Sequence, residues 1–259
     1  MPSMKDVEPS KLSMNSGFKF RCHKGIKCFT KCCSKINILL TPYDIVRMKK
    51  RLGMSSEEFL EKYTVMEIDE KSTLPLVRLK MLNDDEKKCP FVTPEGCTIY
   101  TDRPANCRYY PIGQGTLRKG TDKGPVNEEF YFFIKEPHCF GYQENTKWTI
   151  QTWRSDQGVD IYDEMNREWK EIQLRRNPLM EALDSNKQAQ IYTACYDMER
   201  FRRFIFESRF LDIFEIEPTE VENIKTDDIA LMKLGFRYSK YILLLEETMK
   251  VREDYKKQK

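Results

Sequence analysis

Four cysteines stand within twelve residues in CHKGIKCFTKCC, residues 22–33, and the last two are adjacent. They are Cys22, Cys28, Cys32 and Cys33. A second group, Cys89, Cys97 and Cys107, lies in CPFVTPEGCTIYTDRPANC; Cys139 and Cys195 follow singly. Thiolates ligate metals and do redox chemistry, and clustering of this density is the mark of one or the other. The alternative is a disulfide framework. The N-terminal MPSMKDVEPSKLSMNSGFKF carries no apolar stretch of signal-peptide length, so no export and a cytoplasmic location are expected. Thiols stay reduced there, and nine is an odd number for a set of bridges.

The spacings are Cys22-x5-Cys28-x3-Cys32-Cys33, then Cys89-x7-Cys97-x9-Cys107. Four thiolates suit zinc or an iron–sulfur cluster. No pair of short zinc knuckles is present, and neither is the ferredoxin run, although Cys89-Pro90 echoes its end. The doublet constrains geometry. In an extended segment Cys32 and Cys33 would point to opposite sides and serve two centres; from a turn they could wrap one larger cluster. Eight sulfurs allow two sets of four, or one cluster with spare thiols. Arg21, Lys24, Lys27, Lys31 and Lys35 surround the first group, and Lys87, Lys88, Arg103 and Arg108 the second. Such cations would lower thiol pKa values and offset thiolate charge.

Other residues carry less. His23 and His138, the two histidines, each adjoin a cysteine and read as surface neighbours of the site or alternative ligands. Tyr100, Tyr109 and Tyr110 read as packing around it, and Asp102 with Arg103 as a brace on the second cysteine group. Cys195 falls on an apolar helix stripe and reads as core. Arg200, Arg202, Arg203 and Arg209 read as a solvated helix face. No nucleophile–base–acid triad can be assembled from two histidines.

The elements that must position these thiols are short. INILL (36–40) reads as a buried strand. TPYDIVRMKKRLG predicts a helix capped by Thr41, started by Pro42 and stopped by Gly53. SSEEFLEKY predicts a second, with Ser55 and Glu58 at capping-box spacing. LPLVRLKML reads as an alternating strand. Residues 111–128 read as a loop or loose hairpin before a strand, EFYFFIKE. Beyond about residue 146 the pattern turns helical. Ile161, Met165, Trp169 and Ile172 make one stripe; Ile191, Cys195, Met198, Phe201 and Ile205 make another. A last long helix is expected after a Thr226 cap, with a fraying C-terminus. The expected class is α+β: a small cysteine-rich metal-binding head of short strands and helices, then a mainly α-helical C-terminal region. The expected divisions are a flexible N-terminus (1–17), a cysteine-cluster domain (18–146) and a helical region (147–259).

The segment FRCHKGIKCFTKCC, then CPFVTPEGCTIYTDRPANCRYYP and the later Cys139, resembles the YkgJ family of cysteine-cluster proteins, also described as a CxxCxxCC zinc- or iron-chelating domain. The resemblance covers roughly residues 18–140. It implies Cys22, Cys28, Cys32, Cys33, Cys89, Cys97, Cys107 and Cys139 as the ligand set. It also matches Gly96, Ile99, Tyr100, Arg103, Pro104, Arg108, Tyr110 and Pro111. The first group departs from the short family spacing and is similar to that of flagellin lysine methylases, which are regarded as carrying an iron–sulfur cluster. The resemblance thus implies a bound cluster, of the [4Fe–4S] type, and a redox or electron-transfer role. Zinc in a structural or interaction module, and a protein lysine N-methyltransferase-like enzyme, are the alternatives. Gly113-Gln114-Gly115 is a weak stand-in for a nucleotide loop. The expected partner is a redox protein or protein substrate. With 33% charged residues and a net charge of only +3, nothing points to nucleic acid, and no apolar run is long enough for a membrane.

Overall fold

The computed structural model describes residues 11–121, 124–176 and 180–256. It has a mixed α+β N-terminal region of short elements followed by a mainly α-helical C-terminal region, the class expected from the sequence. The chain forms two compact units, each assembled from separated segments. One holds the chain up to Leu40 together with Arg78–Glu164; the other holds Thr41–Val77 and Met165–Lys259.

The first unit contains Cys22 through Cys139. Its largest element is a hairpin of Ile112–Thr121 and Gly124–Phe133, with Ile112 opposite Phe133 and Thr116 opposite Glu129. Of the two readings of residues 111–128, a loop or a loose hairpin, the hairpin holds, and the glycine-rich stretch is its first strand. Gly113 and Gly115 lie under the rings of Phe132 and Phe130, where a β-carbon would collide. Glycine here makes room for aromatic cross-strand partners rather than a turn. The segment is no nucleotide loop. Leu12 bridges to Tyr131, its amide donating to the Tyr131 carbonyl at 2.8 Å. Residues 1–10 of the expected N-terminal tail lie outside the described residues.

Gly17–Lys19 pairs antiparallel with Lys147–Thr149, and helix Ile150–Asp156 follows from a Thr149 cap. Phe20, Tyr109, Ile112, Tyr131, Phe133, Ile150, Trp153 and Val159 form this unit's core. Trp153 meets Phe18, Phe20 and Trp148 edge-on at 5.9, 5.5 and 5.3 Å. Buried Arg154 donates to the hydroxyls of Tyr109 and Tyr131 at 3.0 and 2.9 Å and pairs with Asp160 and Asp163 at 2.7 and 2.8 Å.

The second unit follows the helix signals closely. Helix Pro42–Leu52 has a Thr41–Asp44 capping box and ends at Gly53, φ 65°. Helix Ser56–Tyr63 has the expected Ser55–Glu58 box. Strand Thr64–Ile68 turns into Pro75–Leu79, with Asp69 N–H donating to the Leu74 carbonyl at 3.0 Å. Leu74, Leu76, Val77 and Leu79 are all buried, so the expected alternation is absent: both faces of this strand are covered.

Three helix readings change. The stripe through Ile161 is two helices, Val159–Met165 and Arg167–Arg175, and Ile161 is exposed. The buried face runs instead through Val159, Tyr162, Trp169 and Ile172. At the break sits buried Asn166, whose Oδ1 accepts from the Tyr43 amide at 3.3 Å. The next stripe is likewise split by Asp197, between Ser185–Tyr196 and Met198–Glu207, although Ile191, Cys195, Met198, Phe201 and Ile205 are all buried. The last long helix, Asp228–Ile242, is capped by Asp227 rather than Thr226. A carboxylate one residue later reaches the amides of Ile229 and Ala230 at 2.7 and 3.2 Å. The expected fraying tail contains a short helix, Glu253–Lys256. No helix among the described residues is long and apolar enough to cross a membrane.

Candidate metal centre

The Cys32–Cys33 doublet does not lie in an extended segment. Lys31–Cys33 is a single 3-10 turn entered from Thr30 in the left-handed region, φ 66°. The tight turn brings the two sulfurs together: a hydrogen bond with Cys33, followed by burial, pushes the Cys32 thiol far above its usual range. The turn answers the question of direction that the sequence leaves open, and it does so through backbone geometry.

Fifty-five residues separate this turn from Cys89, and backbone pairing closes the gap. Cys89 N–H donates to the Cys33 carbonyl at 2.8 Å, and Lys35 N–H to the Lys87 carbonyl at 3.0 Å. Ser34 and Lys88 form the bridge between them. Val92–Thr93 and Gly96–Cys97 then make a small hairpin that carries Cys97. Helix Ala105–Tyr109 carries Cys107, and Cys139 precedes the turn Phe140–Gln143.

Electrostatic coupling shows which thiols are neighbours. Burial pushes Cys22 up to about 11, with Cys32, Cys28 and Cys139 each adding to the rise. Burial also raises Cys139, which feels Cys28 and Cys32. Cys89 is pushed up to about 11 by burial and feels both Cys97 and Cys32. Cys97 and Cys107 both act on Arg103. Cys22 and Cys139 thus each lie within electrostatic reach of Cys28 and Cys32, Cys33 bonds Cys32, Cys89 feels Cys32 and Cys97, and Cys107, like Cys97, acts on Arg103. Among the described residues no group of three or more His, Cys, Asp or Glu side chains is set to hold a metal ion. Cys195 stands apart in the second unit, fully buried, its sulfur 3.3 Å from the Ser239 hydroxyl and its thiol pushed up to about 12 by burial.

The lysines around the two groups do not lower these thiols as the sequence suggests. Burial outweighs them, because exposed ammonium groups are screened by water while the sulfurs are not. The groups that do favour thiolate are backbone amides, Arg103 at Cys97 and the Tyr110 hydroxyl at Cys139. Phe140 N–H donates to the Cys28 sulfur at 3.2 Å. The amides of Phe91 and Val92 also favour the Cys89 thiolate, that of Ile99 the Cys97 thiolate and that of Gly141 the Cys139 thiolate, each against the larger effect of burial. In Cys89, Cys97 and Cys139 one of these amides lies two residues on, as short turns bring amides back toward a preceding side chain.

Beside Cys139 lie three groups that the sequence does not single out as a set. The buried Tyr110 hydroxyl, Glu136 Oε2 and His138 Nε2 have no hydrogen-bond partner among the described residues; the last two face each other at 3.5 Å. Burial, then Cys139 and Glu136, push the Tyr110 phenol well up. Glu136 carries no motif signal, since it ends a strand-like run three residues before Cys139. His23 is placed elsewhere: its Nδ1 accepts from Gly25 N–H at 3.2 Å and its Nε2 lies 3.5 Å from Glu144.

Residues 21–140 match the CxxCxxCC family model, described as "Putative zinc- or iron-chelating domain". The match begins one residue before Cys22, ends one residue after Cys139, and spans less than half of the chain. No curated protein and no solved structure matched the chain.

Proposed function

We propose that the cysteine-rich unit holds an iron–sulfur cluster of the [4Fe–4S] type and serves a redox or electron-transfer role in the cytoplasm, with a redox protein or a protein substrate as partner. The observation that carries this reading is the set of eight thiols that one unit gathers from separate chain segments, with the Cys28 sulfur accepting the Phe140 amide at 3.2 Å and the Cys33 carbonyl accepting the Cys89 amide at 2.8 Å. The donor set fits the group: thiolate sulfur is what iron–sulfur clusters take, and N–H to sulfur bonds stabilise its charge. The unpartnered Tyr110, Glu136 and His138 atoms beside Cys139 are the kind of polar lining a bound charged group satisfies. Cys22, Cys28, Cys32, Cys33, Cys89, Cys97, Cys107 and Cys139 are the proposed ligands. The spacing of the first loop, similar to that of flagellin lysine methylases, supports iron over zinc.

When bound, an iron–sulfur cluster supplies one-electron chemistry. The chain's own work is to bind and to shield. The Cys32–Cys33 turn and the Cys33–Cys89 pairing bring ligands together, and Phe20, Tyr110 and Tyr142 pack edge-on behind Cys139. Because burial raises Cys22, Cys89, Cys97 and Cys139, binding must expel their protons.

Zinc in a structural module is the second reading. The small hairpin around Cys97 and the amides that favour thiolate at Cys89 and Cys97 support it, since structural zinc sites share that arrangement. The lysine methylase reading has no residues behind it beyond Gly113–Gly115, which lie in a strand.

Anaerobic purification with iron, zinc and acid-labile sulfide counted on one sample decides between them. About four irons and four sulfides per chain with broad brown absorbance support one cubane cluster. A colourless protein with stoichiometric zinc and no sulfide overturns the redox reading and leaves the structural one.

A further inference from the structure

Arg103 and Arg108 are both buried, at 7% exposure, and neither is ion-paired with a carboxylate among the described residues. Both converge on Gln157: Arg103 donates to its Oε1, and Arg108 to its carbonyl at 2.7 Å. Their other hydrogen bonds also go to neutral oxygens. Arg103 donates to the Tyr100 carbonyl at 2.7 Å, and its guanidinium lies 3.8 Å from the centre of the Tyr100 ring. Arg108 donates to the Arg103 carbonyl at 3.0 Å, to the Thr101 carbonyl, and to the Tyr162 hydroxyl at 3.1 Å. Burying a charge without an opposite one is costly. Elsewhere in the same unit, the buried Arg154 shows the ordinary solution, two carboxylates at 2.7 and 2.8 Å.

The two guanidiniums line one cleft of about 330 Å³, and every residue around it belongs to the first unit. Of the five N–H groups a guanidinium offers, Arg103 uses two in the bonds above and Arg108 four. The other three of Arg103, and one on Arg108 Nη1, have no acceptor among the described residues. Gly158, at φ 65°, lines the cleft beside that nitrogen. A β-carbon there would stand 3.3 Å from Arg108 Nη1, so a side chain would cover a donor that glycine leaves open. Asp156 also lines the cleft; it accepts from Gln157 Nε2 at 2.7 Å and pairs with neither arginine.

We propose that this cleft is a binding site for the phosphate group of a small ligand, held by Arg103 and Arg108. A phosphate near neutral pH carries about two negative charges, which matches two guanidiniums. Its oxygens accept from donors arriving in different directions, and planar guanidinium forks suit them. A lone carboxylate would leave one guanidinium unbalanced. The bonds to Gln157 and to the loop carbonyls hold both forks in place without cancelling their charge. Among the described residues no cysteine lines the cleft, so the site stands apart from the metal reading.

The test is calorimetric titration of the full chain with inorganic phosphate at constant ionic strength, with acetate as the comparison anion. The parent should bind phosphate at least about tenfold more tightly than acetate. Gln157→Glu sets a carboxylate on Arg103 and should weaken phosphate about tenfold while thermal stability holds. Asp156→Asn removes the opposing charge from the cleft and should tighten phosphate several-fold. Arg103→Gln should abolish the response. No heat from phosphate beyond dilution in the parent overturns the proposal, and an equal response to acetate overturns the assignment to phosphate. Equal phosphate affinity in Gln157→Glu and the parent overturns it even if Arg103→Gln fails to fold. Cys32→Ala, which removes a proposed metal ligand, should keep the phosphate response; its loss there would place the anion at the metal and overturn the cleft.

Discussion

The amide of Cys89 donates to the carbonyl of Cys33 at 2.8 Å, so the two cysteine groups are joined by backbone pairing. Beside this bond the Cys32 sulfur feels Cys33 and Cys89 together.

Cysteine substitutions should therefore sort by place. Cys32→Ala and Cys107→Ala are expected to lose bound metal and lower the melting temperature of the metal-bound protein. Cys195→Ala should keep full metal, because that thiol packs against Ser239 in the other unit, at a cost of about 1 kcal/mol from the small cavity. Elemental analysis of the three variants checks this; equal metal loss in all three contradicts the assignment.

Gly235→Ala should destabilise although alanine is the better helix former. Propensity favours the change by about 1 kcal/mol. The new β-carbon would overlap the Ala194 carbonyl oxygen, where helices Asp228–Ile242 and Ser185–Tyr196 meet backbone to backbone. Overpacking of this kind costs about 1–3 kcal/mol or more and cannot be relieved by a rotamer change. Urea unfolding of the variant should show a net loss; a gain would mean the helices separate freely.

Acid should weaken the second unit through Glu199. Burial raises this carboxyl, but hydrogen bonds from Lys49 and Ser56 win and hold it down to about 2, against an ordinary 4.5. Lys49 is buried and also meets Asp228 at 2.7 Å. A folded pKa below the unfolded one gives stability that is complete above the unfolded value and is lost as pH falls through the folded value. The window is thus from about 4.5 down to about 2. The loss is on the order of 1–2 kcal/mol for a half-buried group, after solvent screening. Glu199→Gln should lower stability at neutral pH and flatten that limb; urea melts at pH 7, 4 and 2.5 read it directly. An unchanged limb would place the acid sensitivity elsewhere.

Arg154→Leu should cost about 3–5 kcal/mol, because it strands Asp163 and two tyrosine hydroxyls beside it in the core of the first unit. The Tyr109 hydroxyl also bonds Asp163, and burial has pushed that phenol well up, so the tyrosine stays neutral. Thermal melting of the variant should fall well below the parent; a change under about 1 kcal/mol would mean the network is solvated.

Local signals were readable in the chain wherever physics is local. Thr41, Pro42 and Gly53 bound their helix as read, and Ser55 with Glu58 close the next, because a cap is a bond between residues three apart. The thiols could be picked out because metal-binding chemistry restricts the residue types, and the mixed head followed by a helical tail could be read from changes in periodicity. What the chain could not disclose depends on neighbours distant in sequence. Asn166 breaks a continuous apolar stripe by bonding the Tyr43 amide, 123 residues away. Gly113 and Gly115 read as a loop until Phe132 and Phe130 are laid across them. The thiols' pKa values rise instead of falling because tertiary burial removes the water on which the flanking lysines' effect was reckoned. The same burial leaves Arg103 and Arg108 without a carboxylate, a fact with no trace in composition or spacing. Residue type and short-range order come from the sequence alone; the direction of each charge's preference is set only when the fold decides which groups keep their water.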